Sequence, residues 1–575
     1  MCLPFCVPGG IQNHGKAIAA SKGYSIGKAR WIRDEMNYSV IGIENVDLEW
    51  QRFQKAIESA KEELSLLKQK METKLTDSEL QIFNAHLFLL EDCAILDEVK
   101  EKLLEEKVNA EAIIDSVMDN YSAVLDAMDD EYMKQRASDL QDVKKLILKK
   151  LLRTGSVHHE IPDEPVILIA EDLTPSQTVS ISTDVVTGFL TMIGGQSSHS
   201  AVLARSLQIP AAVGGGSKLL EIQDGDEVML DGATGEFWVN PNDTERSLFM
   251  EKKRKYQLEL QELEAFREKP AITKDGTRVE LACNIGHPKH VDPVLAAGID
   301  GIGLFRTEFL FMDRDDFPTE EEQFLAYKEV LEKMQGKPVI IRTLDIGGDK
   351  SLPYFPIEEM NPFLGYRAIR ICLDIPELFK TQLRALYRAS LFGKLKIMLP
   401  MISTVEEVLQ TRAMTDEVRE EVNAGPVPVG IMVETPSAAI MIDHLADYVD
   451  FFSIGSNDLT QYTMAADRMN EKVSYLSDPL HPSVLRIIHT IIQAAHEKGK
   501  WVGMCGEMAG DERAIPILYA MGLDEFSMSA GQVLPAKKQL SNLTKQDSLL
   551  LLDEVLKART WEEVLQKIEY ALKNR

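Results

Sequence analysis

The sequence predicts a multidomain α/β protein with a C-terminal (β/α)8, or TIM, barrel, and three textures along the chain carry that expectation. From Ala271 onward short apolar runs alternate with helical stretches, with strands starting near Val279, Gly301, Val339, Lys396, Val429, Phe451, Trp501 and Glu525. Eight strand-then-helix repeats in roughly 300 residues fit the count and length of such a barrel. Between Pro162 and Pro241 the apolar runs shorten and glycine turns separate them, whereas from Val46 to Leu152 apolar residues recur at helical spacing. For the C-terminal half, an open doubly wound sheet is the alternative.

Length and composition bound the rest. A chain of 575 residues has room for several domains, each with its own core. Acids outnumber bases 91 to 63, a formal charge of -28. That balance argues against a general nucleic-acid binder and favours a basic protein partner, although charge serving only solubility fits the composition equally. Six cysteines (Cys2, Cys6, Cys93, Cys283, Cys372, Cys505) are scattered without a Cys-x-x-Cys pair, which suits a reducing cytosol better than a zinc site or a disulfide framework. No apolar run approaches the ~20 residues of a membrane span. The opening stretch, Met1 to Gly10, is short, holds two prolines and lacks a basic flank. It does not read as a signal peptide, and residues 1–15 are expected to be a disordered extension.

Taken in order, residues 16–45 begin an α/β unit with a β-like segment from Ala17 to Ala29. A helical insertion follows over 46–152. Phe53, Ile57, Ala60, Leu64, Leu67 and Met71 form an amphipathic seam, and further helices are expected over Ser78–Glu91, Ile95–Glu106, Ala110–Met128 and Glu131–Leu152. Short loops between them suggest antiparallel pairs. The α/β unit resumes over 153–242 with strand-like runs at Val166–Ala170, Val185–Met192, Glu227–Leu230 and Phe237–Val239. Residues 243–270 are expected to form a charged linker helix, and 271–575 the barrel.

One motif stands out in the smaller unit. Gly194-Gly195-Gln196-Ser197-Ser198-His199 follows an apolar strand and leads into a helical pattern. His199 thus falls at a helix start, where unpaired N–H groups and the positive dipole end favour an anion. Imidazole is a competent nucleophile near neutral pH, so this histidine could carry a phosphoryl group; a cap or packing role is the alternative.

The barrel supplies a second constellation, read from the residues just past each strand. Arg306 follows the second strand, Arg342 the third, Glu434 the fifth, Asn457 and Asp458 the sixth and Cys505 the seventh, with Arg468 on the helical segment after the sixth. Arginines in a barrel mouth favour a small substrate bearing phosphate and carboxylate. Glu434 and Asp458 offer hard oxygen ligands for one Mg2+, with water and substrate completing its shell. Cys505 would be a proton donor or nucleophile. The alternative is that these charges pair with one another and Cys505 fills core.

With those residues in view, the chain resembles enzyme I of the bacterial phosphoenolpyruvate:sugar phosphotransferase system from about Lys16 to its end. The likeness is carried by Gly303 to Met312, Thr343 to Lys350, Asn361 to Gly365, Phe452 to Tyr462 and Gly503 to Glu507. It implies a swivelling phosphohistidine domain (residues 16–45 and 153–242) in which His199 accepts the phosphoryl group on Nε2. It implies that Arg306, Arg342, Asn457, Asp458 and Arg468 bind phosphoenolpyruvate, that Glu434 and Asp458 ligate Mg2+ (Mn2+ as a substitute), and that Cys505 protonates the departing enolate. It also implies a helical subdomain (46–152) that docks the carrier protein HPr, a homodimer formed through the barrel, and a cytoplasmic location.

Three positions depart from that family's pattern. Its histidine signature reads Gly-Gly-Arg-Thr-Ser-His with an acidic or amide residue two positions before the first glycine, and here Gln196, Ser197 and Met192 stand there. A weakened paralogue acting as a regulatory phosphotransfer or binding protein is therefore an alternative. A dikinase or phosphoenolpyruvate synthase shares the same parts but needs a large nucleotide-binding domain, and the helical stretch offers no glycine-rich phosphate loop.

Overall fold

The computed structural model describes residues 13–32, 38–71, 77–127, 131–152, 164–174, 177, 185–195, 198–312, 314–348, 350, 352–468, 470 and 472–573. Two compact units divide the chain, Met1–Glu259 and Leu260–Arg575.

The first unit is built on eight strands: β1 (His14–Lys16), β2 (Ile18–Ser21), β3 (Tyr24–Ile32), β4 (Val166–Ala170), β5 (Val186–Thr191), β6 (Ala211–Val213), β7 (Glu227–Asp231) and β8 (Glu236–Val239). They form one sheet in the order β1-β8-β7-β3-β4-β5-β6-β2. The uninterrupted apolar run of β4 has a direct cause. Val166, Leu168 and Ala170 pack into one cluster and Ile167 and Ile169 into another, so the strand is buried on both faces.

The chain joins this sheet earlier than the expected extension allows. β1 begins at His14, whose ring lies 5.0 Å from that of Trp238 on β8. A Cβ at Gly15 would come within 2.2 Å of the Phe237 ring, so glycine permits the close pairing. Residues 1–12, the rest of that stretch, lie outside the described residues.

Five helices stand between β3 and β4: α1 (Val46–Met71), α2 (Asp77–Glu91), α3 (Cys93–Glu106), α4 (Ala110–Asp126) and α5 (Glu131–Leu151). The seam on α1 is buried at Phe53, Ile57, Ala60 and Leu64. Asp92 caps α3, accepting from Ala94 N at 2.8 Å. Arg52 ties three helices together. Its guanidinium donates to Glu111 at 2.8 and 2.5 Å, to Glu49 at 3.0 and 2.6 Å, and to the Leu151 carbonyl at 3.1 Å. After β5 comes α6 (His199–Leu207), and after β8 comes α7 (Asp243–Glu264), whose one buried residue is Phe249.

The second unit holds a closed parallel barrel of β9 (Glu280–Ile285), β10 (Gly301–Arg306), β11 (Pro338–Arg342), β12 (Lys394–Leu399), β13 (Val429–Val433), β14 (Phe451–Ile454), β15 (Trp501–Met504) and β16 (Glu525–Met528). Each expected strand start falls within two residues of an observed one. The open-sheet alternative is excluded by the seam, where β16 pairs with β9 from Glu525↔Glu280 to Met528↔Cys283.

Helices wrap the barrel with their apolar stripes inward. Pro482–Glu497 buries Val484, Leu485, Ile488, Ile491, Ile492 and Ala495, the spacing of one helical face. Capping boxes at Thr319 with Glu322 and Thr404 with Glu407 fix two helix starts above the strand ends. The barrel interior is filled by Leu304, Ile340, Met398, Met432 and Phe451, and Cys505, just past the end of β15, closes this packed core at the rim. Among the described residues no helix is long and apolar enough to cross a membrane.

Candidate active site

In the first unit, His199 opens α6 and Ser198 is its N-cap residue. The Ser198 hydroxyl donates to the Gly195 carbonyl at 2.8 Å and makes no capping bond to the helix. Among the described residues no side chain caps the N–H groups of the first turn, an arrangement that suits an anion. Gly194 takes a φ of +114°, a left-handed turn that brings the chain from β5 back over the sheet. Behind the turn, Ser200 Oγ donates to Asp172 Oδ1 at 3.3 Å, and burial raises the Asp172 pKa above the ordinary carboxylate value. The helix is seated by Ala201 and Ala204 on the sheet and by Leu203 among the residues of the five-helix bundle. Gln196 and Ser197 lie outside the described residues, as does the His199 side chain. Met192 packs with Leu190 and Leu219, in the cluster on the sheet face opposite Ala201 and Ala204.

The barrel gathers the remaining site residues at the C-terminal ends of its strands. Arg342, the last residue of β11, is buried; its Nη2 donates to Glu308 Oε1 at 2.7 Å and lies 2.9 Å from Asp345 Oδ2. Burial opposes its charge, yet Asp345, Glu308 and Glu434 raise its pKa above the usual guanidinium range. Lys350 Nζ reaches the same two carboxylates, at 3.0 Å to Glu308 and 2.6 Å to Asp345. Arg367, 1% exposed, donates to Asp345 at 3.1 Å and to Tyr462 Oη at 3.1 Å, and stands 3.6 Å from Asp458. These cations outweigh the burial that would otherwise raise Glu308 and Asp345, and hold both below the usual carboxylate range.

Arg306 remains exposed at the end of β10, its guanidinium 5.3 Å from the centre of the Phe309 ring. Asn457 accepts from Glu507 N at 3.2 Å, which leaves its amide nitrogen as a donor. Arg468 stands 3.9 Å from Asp458. It does not lie on a helical segment as expected. The helix Ser456–Met464 ends where Ala465 turns left-handed at φ +51°, and Arg468 follows in a turn.

Glu434 and Asp458 carry the features of a cation site. Glu434 is fully buried; its Oε1 accepts from Met401 N at 2.5 Å, while Glu434 Oε2 and Asp458 Oδ1 have no hydrogen-bond partner among the described residues. Burial, reinforced by Asp458 and Asp345, pushes the Glu434 carboxyl up to about 8. Two such oxygens fit one hard dication that takes its other ligands from water and substrate. Among the described residues no three His, Cys, Asp or Glu side chains form a metal cluster by themselves.

Cys505 follows β15 and is 6% exposed. Ser453 Oγ donates to its sulfur at 3.4 Å, and burial pushes the thiol up to about 11. A thiol protonated at neutral pH is a proton donor rather than a ready nucleophile.

Family models match nearly all of this architecture. Residues 16–136 match the N-terminal domain of PEP-utilising enzymes, 162–235 their mobile domain and 260–545 their PEP-binding domain. A phosphoenolpyruvate-protein phosphotransferase of Bacillus sp. is 50% identical over 97% of this chain and 97% of its own length. The chain belongs to the phosphoenolpyruvate-protein phosphotransferase family. Relatives of the same name from Geobacillus stearothermophilus and Bacillus subtilis are each 49% identical, over 97% of this chain and 97% and 99% of their own. Nothing in these matches favours the weakened-paralogue or dikinase alternatives.

Within a family member's barrel mouth, Glu308, Asp345, Lys350 and Arg367 belong to the site as much as Arg342 does, and sequence reasoning did not single them out. Glu308 and Asp345 sit in the same runs as Arg306 and Arg342, two and three residues on. Their signal was present. Arg367 lies among loop residues with no strand before it, and only its burial marks it.

Proposed function

We infer that this chain takes the phosphoryl group of phosphoenolpyruvate onto His199 Nε2, releases pyruvate, and passes the group to a histidine of HPr, as the first general component of a sugar phosphotransferase system in the cytosol. The convergence of Arg342, Glu434, Asp458 and Cys505 on one barrel rim carries this reading, because each answers a separate need of the reaction.

Phosphoryl transfer through a loose transition state asks for positioning and for charge spread over the phosphate oxygens. Arg306 and Arg468 would hold the phosphate and carboxylate, with Arg342 fixed from behind by Glu308 and Asp345. Asn457 would donate its amide to the substrate. Mg2+, or Mn2+ in its place, would be held by Glu434 and Asp458 and supplies Lewis-acid charge when bound. His199 attacks phosphorus in line, and α6 lends its dipole to the phosphohistidine. Cys505 delivers its proton to C3 of the enolate and so completes pyruvate. One imidazole cannot sit in the barrel and against HPr at once, so the small unit moves between the two tasks.

The five-helix bundle supports the carrier step. Phe88 on α2 is 74% exposed, with Glu91 and Asp92 exposed beside it, an apolar anchor in an acidic rim suited to a basic partner. We infer a homodimer contact on the barrel unit, where Ile440 and Tyr475 are exposed; sedimentation of Ile440→Asp and Tyr475→Asp chains tests it.

Incubation with phosphoenolpyruvate labelled at phosphorus, Mg2+ and HPr is the direct test. Label should pass through the chain to HPr, and His199→Ala should take up none. Labelling of the His199→Ala chain would overturn the assignment.

A further inference from the structure

The helix Pro376–Ala389 carries a polar residue on its apolar stripe. Phe379, Gln382, Leu383 and Leu386 are buried at the spacing of one helical face, and Gln382 is 1% exposed. An amide in that position costs stability unless its hydrogen bonds are made. They are made, and two of them lead to the barrel mouth. Gln382 Oε1 accepts from Leu344 N at 2.9 Å, while Nε2 donates to Thr307 Oγ1 at 3.2 Å and to Tyr327 Oη at 3.1 Å.

The bonds to Leu344 and Thr307 begin where the sheet stops. Backbone pairing between β10 and β11 ends at Arg306↔Arg342. Immediately beyond, Thr307 Oγ1 donates to the Arg342 carbonyl at 2.8 Å, and Gln382 then joins Thr307 to Leu344. Side chains thus continue the ladder past its last backbone pair. Thr307 is flanked by Arg306 and Glu308, and Leu344 is followed by Asp345. Glu308 and Asp345 are the carboxylates that hold Arg342, at 2.7 and 2.9 Å. The third bond runs the other way. Tyr327 donates to Gln323 Oε1 at 3.1 Å, and Gln323 Nε2 donates to the Pro318 carbonyl at 3.1 Å. Both residues are buried on the helix Glu320–Lys333.

We propose that Gln382 is a positioning residue for phosphoryl transfer. By tying Thr307 to Leu344 it fixes the separation of Glu308 and Asp345, and through them the direction in which Arg342 presents its guanidinium. The inference rests on Arg342 binding phosphoenolpyruvate. Gln382 acts through the two strand ends and does not touch substrate. The polarity of the chain calls for an amide. Thr307 gives its one hydroxyl proton to the Arg342 carbonyl and Leu344 gives its N–H, so the group between them must donate to the first and accept from the second. A carboxylate cannot donate and a leucine does neither, whereas one side-chain amide does both.

Pyruvate release by the full chain with Mg2+, phosphoenolpyruvate and HPr, set beside phosphoryl exchange between His199 and HPr, tests this. Gln382→Leu and Thr307→Val should each lower kcat/KM for phosphoenolpyruvate by about a hundredfold, the cost of misplacing a binding group by about 1 Å. Exchange with HPr does not use the barrel and should keep its normal rate. The double variant should be no worse than either single one, because both cut the same tie. Thr307→Ser keeps the hydroxyl and should keep the rate. Tyr327→Phe cuts the bond that leads away from the site, so it should lower the melting temperature and leave kcat/KM unchanged. A normal kcat/KM in folded Gln382→Leu would overturn the proposal. So would a loss in Tyr327→Phe equal to that in Gln382→Leu, which would mark general loosening of the barrel, or equal losses in Thr307→Ser and Thr307→Val. Arg342→Ala with an unchanged kcat/KM would instead overturn the role given to that arginine. Where thermal melting shows that Gln382→Leu has not folded, the comparison of Thr307→Val with Thr307→Ser decides.

Discussion

Arg342 donates to Glu308 at 2.7 Å with both side chains buried in the barrel mouth. Arg342, one of the arginines that we propose faces the phosphate, is therefore already paired, to Glu308 and to Asp345. Pairing fixes the planar fork in one orientation and keeps it charged, which is what preorganised recognition of an oxyanion requires.

Glu308→Ala should accordingly cost both stability and affinity. Breaking a buried ion pair by removing one partner typically costs about 3–5 kcal/mol. Denaturant unfolding of the barrel should show a loss of that order, and KM for phosphoenolpyruvate should rise. An unchanged KM would mean that Asp345 alone orients Arg342.

Glu434 ties stability to pH and to metal. Its ordinary value is 4.5 and its folded value about 8. Between those values the folded protein holds a proton that the unfolded chain has released, so this contribution is fully present below 4.5 and is lost as pH rises toward 8. In metal-free buffer the melting temperature should fall across that window. Added Mg2+ should offset the fall, most strongly at its alkaline end, where the carboxylate is free to bind. Glu434→Gln should flatten the metal-free profile and remove the response to Mg2+; thermal melts with and without chelator check both.

Cys505→Ala should slow pyruvate formation by about a hundredfold, within the usual contribution of a general acid. Exchange of the phosphoryl group between His199 and HPr involves no enolate and should proceed at its normal rate. Comparing the two rates in one preparation separates loss of the acid from general damage to the chain.

Arg52→Ala should loosen the helical bundle and leave the barrel intact. Its removal strands Glu111, which is buried, and costs about 1–3 kcal/mol on the scale of an unsatisfied polar group. Amide exchange in α1 and α4 should accelerate and HPr should bind more weakly, while labelling of His199 by phosphoenolpyruvate persists. Loss of that labelling would show that the bundle also shapes the phosphohistidine helix.

By itself the sequence determined the eight barrel strands, the five-helix insertion and the place of His199 at a helix start, because each is a local signal. An apolar run followed by a helical period is complete within about thirty residues, and the residue just past such a run is named by its position alone. Short strands escaped that reading. β1 and β6 have three residues each, too few for a period, and exist only because β8, β2 and β5 offer them edges.

Tertiary structure alone decided which charges are paired. Arg342 meets Glu308 across 34 positions, Lys350 meets Glu308 across 42, and Ser453 reaches Cys505 across 52. Closure of the barrel brings them together, and burial then sets their protonation. Arg306 could be read from the chain as a cation at a strand end. That Arg342 is held in place and that Glu434 and Asp458 have oxygens to spare are facts of packing. A sequence lists side chains, whereas their pKa values and partners depend on what surrounds them in three dimensions.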